Sequence, residues 1–296
     1  MTAPGGHSHH DMGAVLKWSL AVTVAFVLVE LAFGIQAHSL ALVSDAGHNF
    51  TDALALLLAW TGVYFERKPP DESKTYGYHR TGVLAAFVNA LALLILAGYI
   101  LYASYRRWLE PRAVDEWTML AVAALGLAVN GGIMWGLRSE RGRDINIRSA
   151  WVHMLGDALG SLGIILGALI IHSTGWQRVD PLLSALIGLL IVWTAWDIVT
   201  ESLNILLEGL PRGLKLEEVL SAMRQIEGVL DVHDLHIWSL GSSTHALSCH
   251  VRIDDLPPSA SDAILRRLSQ VLAERFGIRH TTVQFEHAGC QGCAYS

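Results

Sequence analysis

The sequence predicts a two-part membrane protein: an all-α bundle of six transmembrane helices, then a small α+β domain of order α-β-β-α-β. Three observations carry this. The 296 residues are 52% hydrophobic and only 16% charged, where soluble domains average about a quarter charged. Six apolar stretches reach the roughly 20 residues that a helix needs to cross a bilayer's hydrocarbon core. After about residue 208 the long runs stop and short amphipathic patterns replace them.

The chain therefore divides into a His-containing tail over 1–14, a six-span domain over 15–207 and a terminal domain over 208–296. The spans fall near 15–36, 40–65, 81–106, 114–137, 147–172 and 179–204. The second and fourth loops carry four Lys or Arg each (Arg67, Lys68, Lys74, Arg80; Arg138, Arg141, Arg143, Arg148). The first loop has none and the fifth only Arg178, while Arg106, Arg107 and Arg112 in the third run against the trend. Basic loops stay on the cytoplasmic side, so both termini are expected there. No basic segment with a small-residue cleavage site precedes the first apolar run, so no cleaved signal peptide is expected. A net charge of −6 gives no reason to expect a nucleic-acid partner.

In the terminal domain, PRGLKLEEVLSAMRQIEGV has the 3.6-residue period of an amphipathic helix after a Pro-Arg-Gly break. VLDVHDLHIWSLG and STHALSCHVRI alternate like paired strands around a turn at Gly241-Ser242-Ser243. SASDAILRRLSQVLAERFG predicts a second helix with a Ser/Asp cap and an end at Gly277. TTVQFEH supplies the third strand. The three cysteines, Cys249, Cys290 and Cys293, are too few for a disulfide scaffold, and the final Cys-x-x-Cys reads as reduced thiols or metal ligands.

The chemistry is concentrated in a repeated pattern. HNFTDAL at 48–54 and HMLGDAL at 153–159 both lie inside apolar runs, 105 residues apart. An unpaired Asp at the centre of a membrane helix costs roughly 2.5–3.5 kcal/mol on insertion scales. Residues four apart share a helix face, so His48 with Asp52, and His153 with Asp157, each present an imidazole and a carboxylate to one side. Two such helices facing each other give a tetrahedral N₂O₂ set suited to Zn²⁺, and the cation removes the cost of the buried carboxylates. Asp45, one turn before His48, is an accessory candidate at the site's entrance or at the interface. Asn49 points off the ligand face and is expected to serve helix packing. Glu30, Asn89, Asn130, Asp197 and Glu201 are the other polar residues of the spans. Of these, Glu30 and Asp197 suit either a proton path or interhelical contacts.

With these residues in view, the chain resembles the cation diffusion facilitator family of zinc/proton antiporters from about residue 15 to 287. The marks are His48, Asp52, His153, Asp157, TYGYHRTGVLAAFVNA after the second loop and HDLHIWSLG in the terminal domain. Within the family it looks most like the bacterial zinc and cadmium efflux branch, related to animal vesicular zinc transporters. The resemblance implies a homodimer in the bacterial inner membrane that exports Zn²⁺ in exchange for protons. It also implies a ferredoxin-like cytoplasmic domain that binds regulatory zinc. Cd²⁺, Co²⁺ and Fe²⁺ remain open as further substrates.

Some relatives carry a second zinc site after the second span, built from one Asp and two His. Here Asp71 is kept, but Lys74 and Tyr78 stand where the histidines would fall, so that site is not carried over. His79 is a further accessory candidate, with a structural role in the YGYHR turn as its alternative. His7, His9 and His10 suit loose zinc capture. In the terminal domain His233 and His250 match metal-binding positions of relatives, and His287, Cys290 and Cys293 add donors, with Glu286 as accessory. His233 and His236, three apart on a strand, are expected on opposite faces; His236 and His245 read as surface histidines.

Metal binding requires deprotonated ligands, so one site serving metal and proton in turn yields antiport. A zinc hydrolase would need a third protein ligand and a Glu base, typically His-Glu-x-x-His, and no such motif occurs. A membrane-embedded metal sensor signalling through the terminal domain without flux is the alternative, and a vesicle flux assay separates the two.

Overall fold

The computed structural model describes residues 8–66, 68–138, 145–241 and 244–287. Six long helices are followed by the expected α-β-β-α-β order. These are α1 (Ser8–Gln36), α2 (Leu40–Glu66), α3 (His79–Leu109), α4 (Glu116–Leu137), α5 (Ile145–Thr174) and α6 (Val179–Leu206), then α7 (Leu216–Arg224), β1 (Asp231–Ser239), β2 (His245–Arg252), α8 (Pro258–Phe276) and β3 (Ile278–Glu286). Helix α1 starts seven residues before the expected first span, and α5 two before its own. Hydropathy marks where a helix enters lipid, whereas hydrogen bonding continues into water.

Among the described residues, His79–Leu109, Glu116–Leu137, Trp151–Thr174 and Val179–Leu206 are each long and apolar enough to cross a membrane. Ala21–Gln36 is a shorter apolar stretch of α1. Local signals set the helix ends. Asp115 caps α4 by accepting from the amides of Trp117 and Thr118, each at 3.2 Å. Ser39 caps α2 through a 3.2 Å bond from the Leu42 amide.

The chain forms two compact units, Met1–Leu57 with Asn89–Trp196, and Leu58–Val88 with Asp197–Ser296. In the first, α4 packs along α5 and α1 against α4. Lipid offers no hydrophobic drive between helices, so close approach of small residues matters. Gly126 of α4 shows this, since a Cβ there would sit 2.7 Å from the Phe26 ring and 3.0 Å from Ser161 Oγ. Leu42, Met119, Val122, Ile164 and Ile171 fill the core between α2, α4 and α5. The same α2–α5 neighbourhood holds the repeated His/Asp pattern.

In the second unit a three-stranded sheet has order β1-β2-β3, with β1 antiparallel to β2 and β2 parallel to β3. Helices α7 and α8 contribute Val219, Met223, Ile264, Leu268 and Leu272 to a core shared with Val232, Ile237, Leu247, Val251 and Ile278 of the strands. The α8 cap differs from expectation: Pro257 occupies the cap position, without a side-chain bond, and Pro258 opens the helix. Proline's fixed φ and missing N–H suit a first turn, so no Ser or Asp cap is used. Gly277 ends the helix at φ 69°, as its position predicts.

Candidate metal sites

The two His-x-x-x-Asp turns meet. His48 Nε2 lies 3.6 Å from Asp52 Oδ2, His153 Nε2 lies 3.5 Å from the same oxygen, and His153 Nε2 lies 3.6 Å from Asp157 Oδ2. Ligand atoms of His48, Asp52 and Asp157 all fall within 4.8 Å of one another. Around a zinc with bonds of 2.0–2.1 Å, neighbouring tetrahedral ligands are about 3.3 Å apart. The three measured separations are close to that edge. Asp52 Oδ2 and His48 Nδ1 are buried and have no hydrogen-bond partner, although buried polar atoms are ordinarily paired. The side chain of Asp157 is 7% exposed and that of His153 44%, so the group is closed at one ligand and open at another.

Asp45 does not join this group. It lies buried against Gly160 of α5 and meets Glu30, whose other carboxylate oxygen accepts from Asn49 Nδ2 at 3.3 Å. Asn49 thus points off the ligand face, as expected. Asp197 is not deep in the bundle; its exposed carboxylate pairs with Arg212 Nη1 at 2.9 Å, and Arg212 also reaches Glu201.

Asp180 carries no signal of importance in the sequence. Fully buried at the start of α6, it accepts from Ser39 Oγ at 2.6 Å and from the amides of Leu40 and Ala41 at 2.9 and 3.1 Å. Arg107 stands 3.3 Å from it and also donates to the His38 carbonyl. Asp180 therefore anchors the first turn of the helix that carries His48 and Asp52. Its partners on that turn lie 139 to 141 residues away, beyond any local pattern.

In the loop before α3, Asp71 is committed to its own turn. Its carboxylate accepts from the Ser73 amide and hydroxyl, the Lys74 amide and the Tyr78 hydroxyl at 2.7–2.9 Å. These donors hold its pKa far below the usual carboxylate range and raise that of Tyr78. His79 begins α3 beside Gly77 and belongs to neither metal-ligating group found among the described residues.

The terminal domain holds the second group: His233, His250 and Glu286. His250 Nδ1 is 3.0 Å from Glu286 Oε1, His233 Nε2 is 3.3 Å from Glu286 Oε2, and the two rings are 5.4 Å apart. His233 Nε2, His250 Nδ1 and Glu286 Oε2 are all without hydrogen-bond partners. The register explains the meeting, because His233 faces His250 and Arg252 of the same strand faces Glu286. Glu286, read from sequence only as accessory, is thus central.

The expected opposite facing of His233 and His236 fails. A bulge shifts the register between them, so His233 pairs with His250 and His236 with Ser248, two residues apart on β2. The extra residue restores both histidines to one sheet face. Asp234, at φ 50°, sits in the bulge and joins the cluster, 3.2 Å from His236 Nε2 and 3.8 Å from His250 Nε2. His245 is half-buried beside Ser239 Oγ at 3.2 Å, and burial lowers its pKa. His287 is exposed outside the ligand group, and Cys290, Cys293 and His7 lie outside the described residues. Cys249 is buried in the core, where desolvation pushes its thiol up to about 12.

Comparison with known proteins fits this two-part layout. A model of the cation efflux transmembrane domain matches residues 16–207, and one of the cation efflux cytoplasmic domain matches 211–288. The chain belongs to the cation efflux family. It is 41% identical over 289 residues to the metal cation efflux system protein CzcD of Cupriavidus metallidurans, covering 97% of this chain and 91% of that one. It is 40% identical over 279 residues to the zinc transporter ZitB of Escherichia coli, covering 94% and 88%. With a cadmium, cobalt and zinc/H(+)-K(+) antiporter of Bacillus subtilis it shares 37% over 287 residues, covering 95% and 92%. The solved metal-bound C-terminal domain of the C. metallidurans CzcD transporter is 40% identical, at a TM-score of 0.23, covering 25% of this chain and 99% of that domain.

Proposed function

We propose that this cation efflux protein is a proton-coupled exporter of Zn²⁺, with Cd²⁺ and Co²⁺ as further substrates, and not an enzyme. His48, Asp52, His153 and Asp157 take up the ion. The observation that carries this is Asp52 Oδ2, a buried carboxylate oxygen shared by two helices, 3.5–3.6 Å from two imidazole nitrogens and lacking any hydrogen bond. A divalent cation at their centre satisfies all the groups at once. Protons compete for the same imidazoles and carboxylates, so proton influx drives metal outward. The chain works as a homodimer in the bacterial inner membrane with both termini cytoplasmic. Its N-terminal tail ends near residue 14, and its terminal domain begins near 208.

His233, His250 and Glu286 are proposed as a regulatory zinc site, with Asp234 at its edge and His287, Cys290 and Cys293 as further donors. Asp52→Ala tests the transport site. In proteoliposomes with an imposed pH gradient it should abolish zinc flux while the purified protein stays folded. Near-normal flux would sink the assignment.

A further inference from the structure

One buried acidic contact in the bundle is not used by the four ligands. Glu30 of α1 is 0% exposed and Asp45 of α2 is 4% exposed. Asn49 Nδ2 donates to Glu30 Oε2 at 3.3 Å, while Glu30 Oε1 has no donor among the described residues. The group that Glu30 meets is the carboxyl of Asp45. Two carboxylates are both acceptors, so such a contact is bonding only when one proton lies between them. A second cation is a poorer occupant, because the Asn49 N–H already points into the group. The charged residues that act on the pair are His48 and Asp52 of α2 and Asp157 of α5, all members of the metal group.

We propose that Glu30 and Asp45 form a proton-binding site of their own, beside the metal site and distinct from its ligands. Entry of a divalent cation next to the pair favours its fully ionised form, and the shared proton leaves to water on the side to which the site is open. Departure of the cation restores the proton. Linkage makes this reciprocal: a proton held by the pair weakens metal binding as much as the metal weakens the proton. The proposal rests on the assignment of His48, Asp52, His153 and Asp157 as the transport site. It adds that part of the proton count per metal is carried by residues that never touch the metal.

The test is the ratio of proton to zinc flux in proteoliposomes holding the full-length protein, read with internal pH and zinc dyes. Glu30→Gln and Asp45→Asn keep size and hydrogen-bonding capacity, and Asp52→Ala is run in parallel. The expected result is a ratio lower by about one proton per zinc in both carboxamide variants, with zinc uptake less steeply dependent on pH. An unchanged ratio in either folded, transporting variant overturns the proposal. So does loss of zinc binding in Glu30→Gln, which would make Glu30 part of the metal site. Near-normal flux in Asp52→Ala would instead overturn the transport site itself. Loss of flux in Asp52→Ala with wild-type proton ratios in the other two leaves that site standing and removes only this inference.

Discussion

At the scale of single residues, donor chemistry and burial decide what each group can do. His48 supplies a borderline nitrogen to a set otherwise made of one further imidazole and two carboxylates. Replacing it by Asp leaves a harder, oxygen-rich set. His48→Asp should therefore raise cadmium transport relative to zinc, measured as competing uptake into vesicles; an unchanged ratio would remove His48 from selectivity. Cys249 shows the opposite situation, a metal-binding residue type made inert by its surroundings. With its thiol at about 12 it remains protonated at neutral pH, and a neutral thiol is a poor ligand and nucleophile. In a Cys290→Ser, Cys293→Ser background, the native protein should not react with a thiol reagent at pH 8, and the denatured protein should react once per chain. The raised value also fixes the pH sign. Its contribution to stability is complete below the thiol's ordinary value of 9.0 and is lost as pH rises from there through about 12, because the unfolded chain gives up a proton that the folded one keeps.

At the scale of elements, the question is what holds each helix or strand in the place its site needs. The intramembrane pairs are legible in the sequence because four-residue spacing has one meaning on a helix. That spacing alone pairs His48 with Asp52 and His153 with Asp157. The cluster on β1 is not legible in the same way, because a bulge is a property of two paired strands. Nothing in HDLHIW alone states that one residue is skipped between His233 and His236, although φ 50° at Asp234 fits a residue type that tolerates that region. Asp180 is hidden for a related reason, since a cap supplied from another helix leaves no local spacing. Asp180→Ala removes a buried acceptor from Ser39, two amides and Arg107 together. Breaking a buried charged pair from one side costs about 3–5 kcal/mol. The variant should melt well below the parent in detergent and lose zinc flux, since α2 then lacks its anchor. Asp180→Asn, which keeps an acceptor oxygen, should fall between the two; a parental melting temperature for Asp180→Ala would show that the anchor is dispensable.

At the scale of the whole molecule, the two metal groups differ in a way that separates their roles. The bundle group has two imidazoles and two carboxylates on helices that an antiporter must move, and one of its members, His153, is open to exchange. The terminal group is built on paired strands, whose register fixes His233 opposite His250 and brings Glu286 to both. A site whose ligands are held by a hydrogen-bonded sheet resists the rearrangement that transport demands, and suits an ion that stays. Zinc bound there adds its binding free energy to the folded state. Removing Glu286, which faces both imidazoles, should empty the site without disturbing the core beneath the sheet. Glu286→Ala in the full-length protein is therefore expected to lower zinc stoichiometry per chain and to reduce the gain in melting temperature that zinc confers. Transport should persist, with its dependence on cytoplasmic zinc shifted to higher concentration. If flux vanishes in a folded Glu286→Ala protein, the terminal site is obligatory for each transport cycle, and its regulatory role is wrong. If stoichiometry and zinc-dependent stabilisation both match the parent, the three residues do not hold zinc, and the unpaired nitrogens and oxygen on the sheet need another partner.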